Sequence, residues 1–348
     1  MTRLAICLLA SVLIASTARA QEAVSFQGKT ISMIVGYAAG GGTDAFARMA
    51  APFLGNSLRG APTVIVRNIP GAEGITAMNY FVQQVAPDGL TIMAAANTAA
   101  DPLNYRKPQA RYDPTGFAVI GGVGRGGSAI LISREAEKRL QDRQAAPVAM
   151  GALGGVQRSG ILMTAWGIEL LGWNAKWVLG YRGTNELVLA LERGEIDMTA
   201  TANLFLIQKL IESGRFKVLV QTGILKNGRF VARPDFVGAP VLATLLDGRI
   251  KDPVAIQAFQ YWGSIAAMDK WLALPPKSPN AMLAAYRDAY DKMIRDPDFI
   301  DKSRKISDDF EPMLHGEVEA LVATLGSMPP QAIDYISAML RKQGLETQ

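Results

Sequence analysis

Apolar residues along this chain fall into short β-branched runs followed by stripes at helical spacing. Ile31 to Val35 is the first run, with the length of a buried strand. Gly40, Gly41 and Gly42 follow, and glycine lets a backbone turn sharply. Thr43 suits an N-cap, and Asp44 falls in the first turn, where a carboxylate meets the positive end of the helix dipole. Ala45, Phe46, Met49, Ala50, Phe53 and Leu54 then form an apolar helical stripe. Strand, glycine turn and helix start predict a concave cluster of backbone N–H groups, a geometry that binds phosphate, carboxylate or sulfate.

The pattern repeats. Thr63 to Val66 reads as a second strand, running through Arg67-Asn68-Ile69-Pro70-Gly71-Ala72-Glu73-Gly74 into a helix with Ile75, Met78, Phe81 and Val82 apolar. Pro87-Asp88-Gly89 is a turn, and Leu90 to Ala96 a third strand ending at Asn97-Thr98. This order of strands and helices predicts a parallel sheet covered by helices. Phe117 to Val123 and Ala129 to Ser133 read as strands joined by Gly124-Arg125-Gly126-Gly127, a glycine-rich crossing between domains. Arg134 to Gln144 is expected as a surface helix. Val148 to Ala152 leads into Leu153 to Gly160 and a helix carrying Ile161, Leu162, Ala165, Trp166 and Leu170, a second strand-glycine-helix unit. Strands are further expected at Lys176 to Leu179, Ile196 to Thr201 and Phe216 to Thr222, with a helix over Asn185 to Arg193 closed by Gly194. Lys226 to Asp252 is irregular, and Trp262 to Ala267 is a candidate return crossing. Ser278 and Pro279 are placed to cap and start a helix with Met282, Leu283, Tyr286, Ala289, Tyr290 and Met293 buried. Helices at about Glu317–Leu325 and Pro330–Lys342 complete the chain.

Two anion-ready units in separate halves, with a chain that crosses over and returns, describe a two-domain clamp with the ligand between its lobes. The expected division is a leader at 1–20, first-lobe segments at 21–124 and 256–348, and a second lobe at 125–255. Arg3, the apolar run Leu4 to Ala15 and Ala18-Arg19-Ala20 have the form of a secretory signal peptide cleaved after Ala20. The run is shorter than the ~20 residues of a spanning helix, which counts against an uncleaved anchor. Cys7 is the sole cysteine, so the processed chain would hold no disulfide, thiolate metal site or cysteine nucleophile. Processing would leave 34 basic and 31 acidic residues, a mild and well-mixed excess without a polybasic block, which argues against nucleic-acid binding.

Tyr37-Ala38-Ala39-Gly40-Gly41-Gly42-Thr43-Asp44, with Arg48, resembles the opening motif of the Bug (TctC-type) periplasmic solute receptors of tripartite tricarboxylate transporters. Val66 to Gly74 is similar to their V-E-N-R-P-G-A-G-G, and Pro87-Asp88-Gly89-Leu90-Thr91 to their P-D-G-Y-T turn. Gly180 to Thr184 followed by Leu191 to Asp197, and Leu274 to Pro279 before a helix, resemble further family segments in the same order. The resemblance implies a two-lobed Venus-flytrap α/β fold, each lobe a mainly parallel sheet flanked by helices. It also implies no catalysis, no cofactor, a small carboxylate bound in an interlobe cleft, and delivery by a periplasmic monomer to membrane permease subunits. Carried over by position, the first-lobe contacts are Tyr37, Ala39, Gly40, Gly41, Thr43 and Asp44, with Asn97 and Thr98. Those of the second lobe are Gly155, Val156, Gln157, Arg158, Ser159, Arg182, Gly183 and Asn203. Gln157 and Arg158 depart from a loop that is usually serine- and glycine-rich, and about Ala239 to Leu274 fits the family pattern poorly.

Arg158 at a helix N-terminus is electrostatically awkward, which suits a guanidinium holding a carboxylate; the alternative is a side chain pointing to solvent. Arg182 has the same two readings. Asp44 either braces the turn or meets a ligand. Trp166, Trp173 and Trp177 fit a core better than a ligand shelf. Gly40 to Ala45 and Gly122 to Gly127 satisfy loose dinucleotide patterns, yet the second strand ends in Arg67 and Asn68 without an acidic residue, and the latter match leads into a strand. His315 is the sole histidine, and no nucleophile elbow accompanies it. No clustered metal ligands are visible. A sensing module for a signalling partner shares the same cleft; an exported hydrolase or NAD(P) enzyme is the remaining alternative.

Overall fold

The computed structural model describes residues 24–125, 127–153, 159–181, 184–201, 203–226, 229–236, 238–306 and 310–345. The expected leader lies outside them. Ile31, Met33, Ile34 and Val35 are fully buried in β1 (Thr30–Val35), and the apolar stripe of α1 (Gly42–Ser57) packs over that strand through Phe46, Ala47, Ala50 and Leu54. β2 (Thr63–Asn68), α2 (Ile75–Gln84) and β3 (Thr91–Ala96) follow, with β1 parallel to both β2 and β3. One-turn α3 (Pro102–Tyr105) precedes β4 (Ala118–Arg125).

A second sheet contains β5 (Ala129–Ser133), β6 (Val148–Leu153), β7 (Ala175–Tyr181), β8 (Met198–Thr201) and β9 (Phe216–Gln221), in the order β7-β6-β8-β5-β9. Its helices are α4 (Arg134–Glu137), α5 (Ser159–Leu171), α6 (Thr184–Arg193) and α7 (Leu204–Glu212). A hairpin of β10 (Ile224–Lys226) and β11 (Arg229–Val231), then α8 (Leu242–Leu245), leads to α9 (Pro253–Ala267). The chain re-enters the first sheet as β12 (Lys270–Leu274) and continues through α10 (Asn280–Met293), α11 (Pro297–Ile306), β13 (Phe310–Leu314), α12 (His315–Gly326) and α13 (Pro330–Lys342). The first sheet has the order β13-β4-β12-β3-β1-β2.

Two helix-flanked sheets in two lobes form the expected α/β architecture, and its parallel character has a definite extent. β1, β2 and β3 are parallel, as are β6, β7 and β8, because helical crossovers join them. The strands at the crossings break the pattern: β12 runs antiparallel to β3 and β4, β13 to β4, and β5 to β8 and β9.

Local expectations are corrected in several places. Gly41, not Thr43, is the N-cap of α1, and the buried Thr43 is its second residue. Pro279 takes the cap position of α10, while the buried Ser278 hydroxyl donates to Pro275 O at 2.9 Å. The helix expected over Arg134 to Gln144 stops after one turn, where Arg139 reaches the Ala146 carbonyl and Leu140 O accepts from Asn174 N. Trp262 to Ala267 belongs to α9. α11 adds a helix, and β13 a strand, that the apolar pattern did not separate. Gly122, the first residue of a loose dinucleotide match, serves packing together with Gly121: a Cβ on Gly122 would sit 2.8 Å from Lys270 O, and one on Gly121 2.4 Å from the Tyr290 ring. Tyr290 in turn donates its hydroxyl to Gly122 O. Trp166 and Trp173 are buried in the core, and Trp177 packs against it.

Candidate functional site

The parallel register of β1, β2 and β3 brings their C-terminal ends together. Val35 lies opposite Asn68, and Val35 opposite Ala94, so the turns after all three strands open at one edge. Ala38, Ala39, Gly40, Gly41 and Gly42 are exposed there, immediately before α1. The amides of Gly42 and Thr43 stand in the first turn of α1, ahead of any carbonyl of that helix able to accept them.

This turn is held by a buried carboxylate. Asp44 is 2% exposed. Its Oδ2 accepts from Gly40 N and from Arg48 Nε, each at 2.9 Å, and its Oδ1 accepts from Asn68 Nδ2 at 2.9 Å. Asn68 Nδ2 also donates to Tyr37 O at 2.9 Å, and Arg48 Nη2 donates to Asn68 Oδ1 at 2.9 Å. The hydrogen bond from Arg48 is the main cause that lowers the Asp44 pKa to about 2, with Gly40 and Asn68 adding to it against the cost of burial. Both readings of Asp44 offered by the sequence are thereby weighed on geometry: its oxygens are engaged with the turn it follows. Arg48 and Asn68 were part of the motifs but not of the expected contact set. Their signal in the sequence was a helical i,i+4 acid–base pair and an amide at the end of a strand.

The turn after β2 is conformationally costly. Gly71, Ala72, Glu73 and Gly74 have φ of 145°, 46°, 55° and 93°, and for Ala72 and Glu73 this is the left-handed region that side chains disfavour. Tyr37 supports it: its hydroxyl donates to Glu73 O at 3.0 Å, and that same hydroxyl lies 2.5 Å from Thr98 Oγ1. Asn104 Nδ2 also donates to Glu73 O, and Lys107 pairs with the Glu73 carboxylate at 3.3 Å. Tyr37 thus ties all three turns of the first lobe together.

Of the expected first-lobe residues, Tyr37, Ala39, Gly40, Gly41, Thr43, Asp44 and Thr98 converge on this edge. Asn97 stands beside Thr98 but faces the crossing, donating from its backbone to Asp269 O at 2.9 Å and from Nδ2 to Ile265 O at 3.2 Å. In the second lobe, Asn203 follows β8 and caps α7, its Oδ1 accepting from Leu206 N at 3.1 Å. Ser159 is the first residue of α5. Gly155, Val156, Gln157, Arg158, Arg182 and Gly183 lie outside the described residues; in sequence they follow the C-terminal ends of the parallel strands β6 and β7. Among the described residues there is no cluster of His, Cys, Asp or Glu able to hold a metal ion, and no helix long and apolar enough to cross a membrane. His315 lies on α12, 3.4 Å from Glu319.

Comparison with known proteins gives this geometry a context. The sequence model of the TctC family, described as "Tripartite tricarboxylate transporter family receptor", matches residues 46–319. A UPF0065 protein of Bordetella pertussis is 29% identical over 307 residues, covering 84% of this chain and 85% of the relative. Among solved structures, a TctC solute-binding protein from Polaromonas without ligand aligns with a TM-score of 0.65 at 18% identity, covering 91% of this chain and 100% of the other. Rpa4515 of R. palustris with adipate aligns with a TM-score of 0.58 at 19% identity, covering 92% and 98%. At these identities the two structures speak for the fold.

Proposed function

The chain belongs to the tripartite tricarboxylate transporter receptor family, and we propose that it captures a small carboxylated metabolite in an interlobe cleft and presents it to the membrane permease of such a transporter. The family is one of receptors, not enzymes, and the hydrolase and NAD(P) readings are set aside on that ground. The observation that carries the proposal is the exposed turn Ala38 to Gly42 at the N-terminus of α1, held by the buried carboxylate of Asp44. Backbone amides at a helix N-terminus recognise a carboxylate with little demand on side chains. Adipate in a structure of the same fold supports this choice of anion.

In this reading the first lobe comprises 21–124 and 256–348 and the second comprises 125–255, with the leader removed after Ala20 on export to the periplasm. Tyr37, Ala39, Gly40, Gly41, Thr43, Asn97 and Thr98 supply one half of the site. Gly155, Val156, Gln157, Arg158, Ser159, Arg182, Gly183 and Asn203 supply the other. Asp44 acts by shaping the turn. The lobes close on the ligand, and the closed form is what the permease reads.

A thermal-shift screen of the purified chain against aliphatic dicarboxylates from four to six carbons, tricarboxylates and aromatic carboxylates tests the proposal. A ligand at 100 times its Kd stabilises the folded state by about 2.7 kcal/mol, enough for a clear rise in Tm. A screen in which no carboxylate raises Tm overturns the reading.

A further inference from the structure

The turn that carries Asn97 and Thr98 is anchored from behind by a residue pair that plays no part in the site described above. Asp101 is 2% exposed and Tyr261 1% exposed. Oδ1 of Asp101 accepts from Leu103 N at 2.8 Å, capping α3, and also accepts the hydroxyl hydrogen of Tyr261 on α9. Asp101 N in turn donates to Thr98 O at 3.2 Å. One helical turn beyond Tyr261, Ile265 O accepts from Asn97 Nδ2 at 3.2 Å. Residues four apart share a helix face, so one face of α9 holds both ends of the segment from Asn97 to Asp101.

The other side of α9 faces the second lobe. Phe259 precedes Tyr261 by two residues, which puts it about 200° away around the helix. Its ring meets Trp166 of α5 edge-on, with centroids 5.4 Å apart, and Trp262 of its own helix at 5.2 Å. Trp166 is fully buried and also stacks against Tyr335 of α13 at 5.8 Å. α5 begins at Ser159 and packs against the second sheet, where a Cβ on Gly160 would lie 2.3 Å from the Ala200 Cβ. α9 therefore lies between the Asn97–Ala100 turn of one lobe and α5 of the other, with packed contacts to each.

We propose that α9 couples the Asn97–Ala100 turn to α5, with Asp101 and Tyr261 as positioning residues on one face and Phe259 against Trp166 on the other. The proposal rests on the reading that this turn contributes to the carboxylate site, and it adds the means by which order at that turn reaches the second lobe. A close-packed interior transmits such a constraint, because neither the ring contact nor the buried hydrogen bond can shift without its neighbours. Coupling of this kind is reciprocal.

Amide hydrogen exchange of the ligand-free chain tests this without reference to any ligand, and the thermal-shift screen decides the carboxylate reading separately. Tyr261→Phe should speed exchange at least five-fold at Asp101, Asn104 and Tyr105, and also within 164–171 of α5. Asp101→Asn, whose amide oxygen still accepts from both donors, should speed exchange in neither region at pH 7. Acceleration confined to residues 97–105 would reduce the pair to a local brace and overturn the coupling, as would no acceleration at all. Should Tyr261→Phe fail to fold by circular dichroism, Phe259→Leu probes the same path from the other side. It should speed exchange at Asp101 and Asn104, and their unchanged protection would overturn the proposal.

Discussion

Asn68 Nδ2 lies 2.9 Å from Oδ1 of Asp44 and 2.9 Å from the carbonyl oxygen of Tyr37, so one side-chain amide joins the end of β2 to the turn after β1. Removing it strips a donor from a buried carboxylate and from a backbone carbonyl at once. Asn68→Ala should cost about 1–3 kcal/mol of stability, the usual penalty for unpairing a buried polar group. Urea denaturation checks this. If the Ala38–Gly42 turn holds the carboxylate, the same variant should also weaken binding of any ligand found in the screen.

Asp44 should contribute with the sign of a depressed carboxyl. Its pKa is about 2 in the folded chain against an ordinary 3.8, so its stabilisation is fully present above about pH 4 and is lost as pH falls towards 2. Asp44→Asn should be less stable than the parent at pH 7, with the gap narrowing as pH falls through that window. Denaturation midpoints at pH 7, 5, 4 and 3 measure it, and a gap constant with pH would contradict the assignment.

Asp101 should act in the opposite sense. Burial raises its pKa to about 6, although the hydrogen bonds from Tyr261 and Leu103 pull it down; Glu73 adds to the rise and Lys107 opposes it, and Tyr105 lies within electrostatic range. Between 3.8 and about 6 the folded state holds the proton that the unfolded state has lost, so stability declines as pH rises through that window. Asp101→Asn removes this dependence. Relative to the parent, the variant should gain up to about 2–3 kcal/mol between pH 4 and pH 7, read from urea midpoints at the two values.

Gly121→Ala should be among the more damaging single methyl additions. The new Cβ would fall 2.4 Å from a Tyr290 ring that is fully buried and tied by its hydroxyl to Gly122 O. Overpacking of this kind costs about 1–3 kcal/mol. Gly116→Ala, where a Cβ meets nothing within 4 Å, serves as the control, and thermal melts of the pair separate crowding from backbone effects.

Gly71→Ala tests whether the turn after β2 is held by its strained backbone. Gly71 has φ of 145°, and a Cβ there would lie 2.6 Å from Thr76 Oγ1. The substitution should destabilise the chain by more than about 1 kcal/mol. Thr76→Ala in the same chain relieves the clash but not the φ penalty, so only part of the loss should return in denaturant titrations.

The segment from Ile31 to Leu54 was legible because periodicity and turn chemistry agree there: a β-branched run, glycines, then an apolar stripe at helical spacing. β13 was not. Phe310 to Leu314 contains a proline, has Glu311, Pro312 and Leu314 exposed, and pairs on one side only, with β4. Such an edge strand has no alternation to announce it. Thr43 and Ser278 had the chemistry of caps, but folding buried both, and their neighbours Gly41 and Pro279 took the cap positions. Arg48 and Asn68 appeared as motif letters, and nothing local said that their side chains would meet at Asp44.

By itself, the sequence determined the family, the strand-helix alternation around β1 to β3 and β6 to β8, and the glycine turn that opens before α1. These rest on local backbone preference and on hydrophobic spacing, both carried by neighbouring residues. Tertiary structure decided what holds that turn and what stands behind it. Asp44 and Asn68 are 24 residues apart, and Asp101 and Tyr261 are 160 apart. Their meeting depends on parallel register in one case and on the return of the chain through α9 in the other. Strand direction at the crossings was fixed at the same level, because β12 and β13 find their places by pairing with strands far away in sequence.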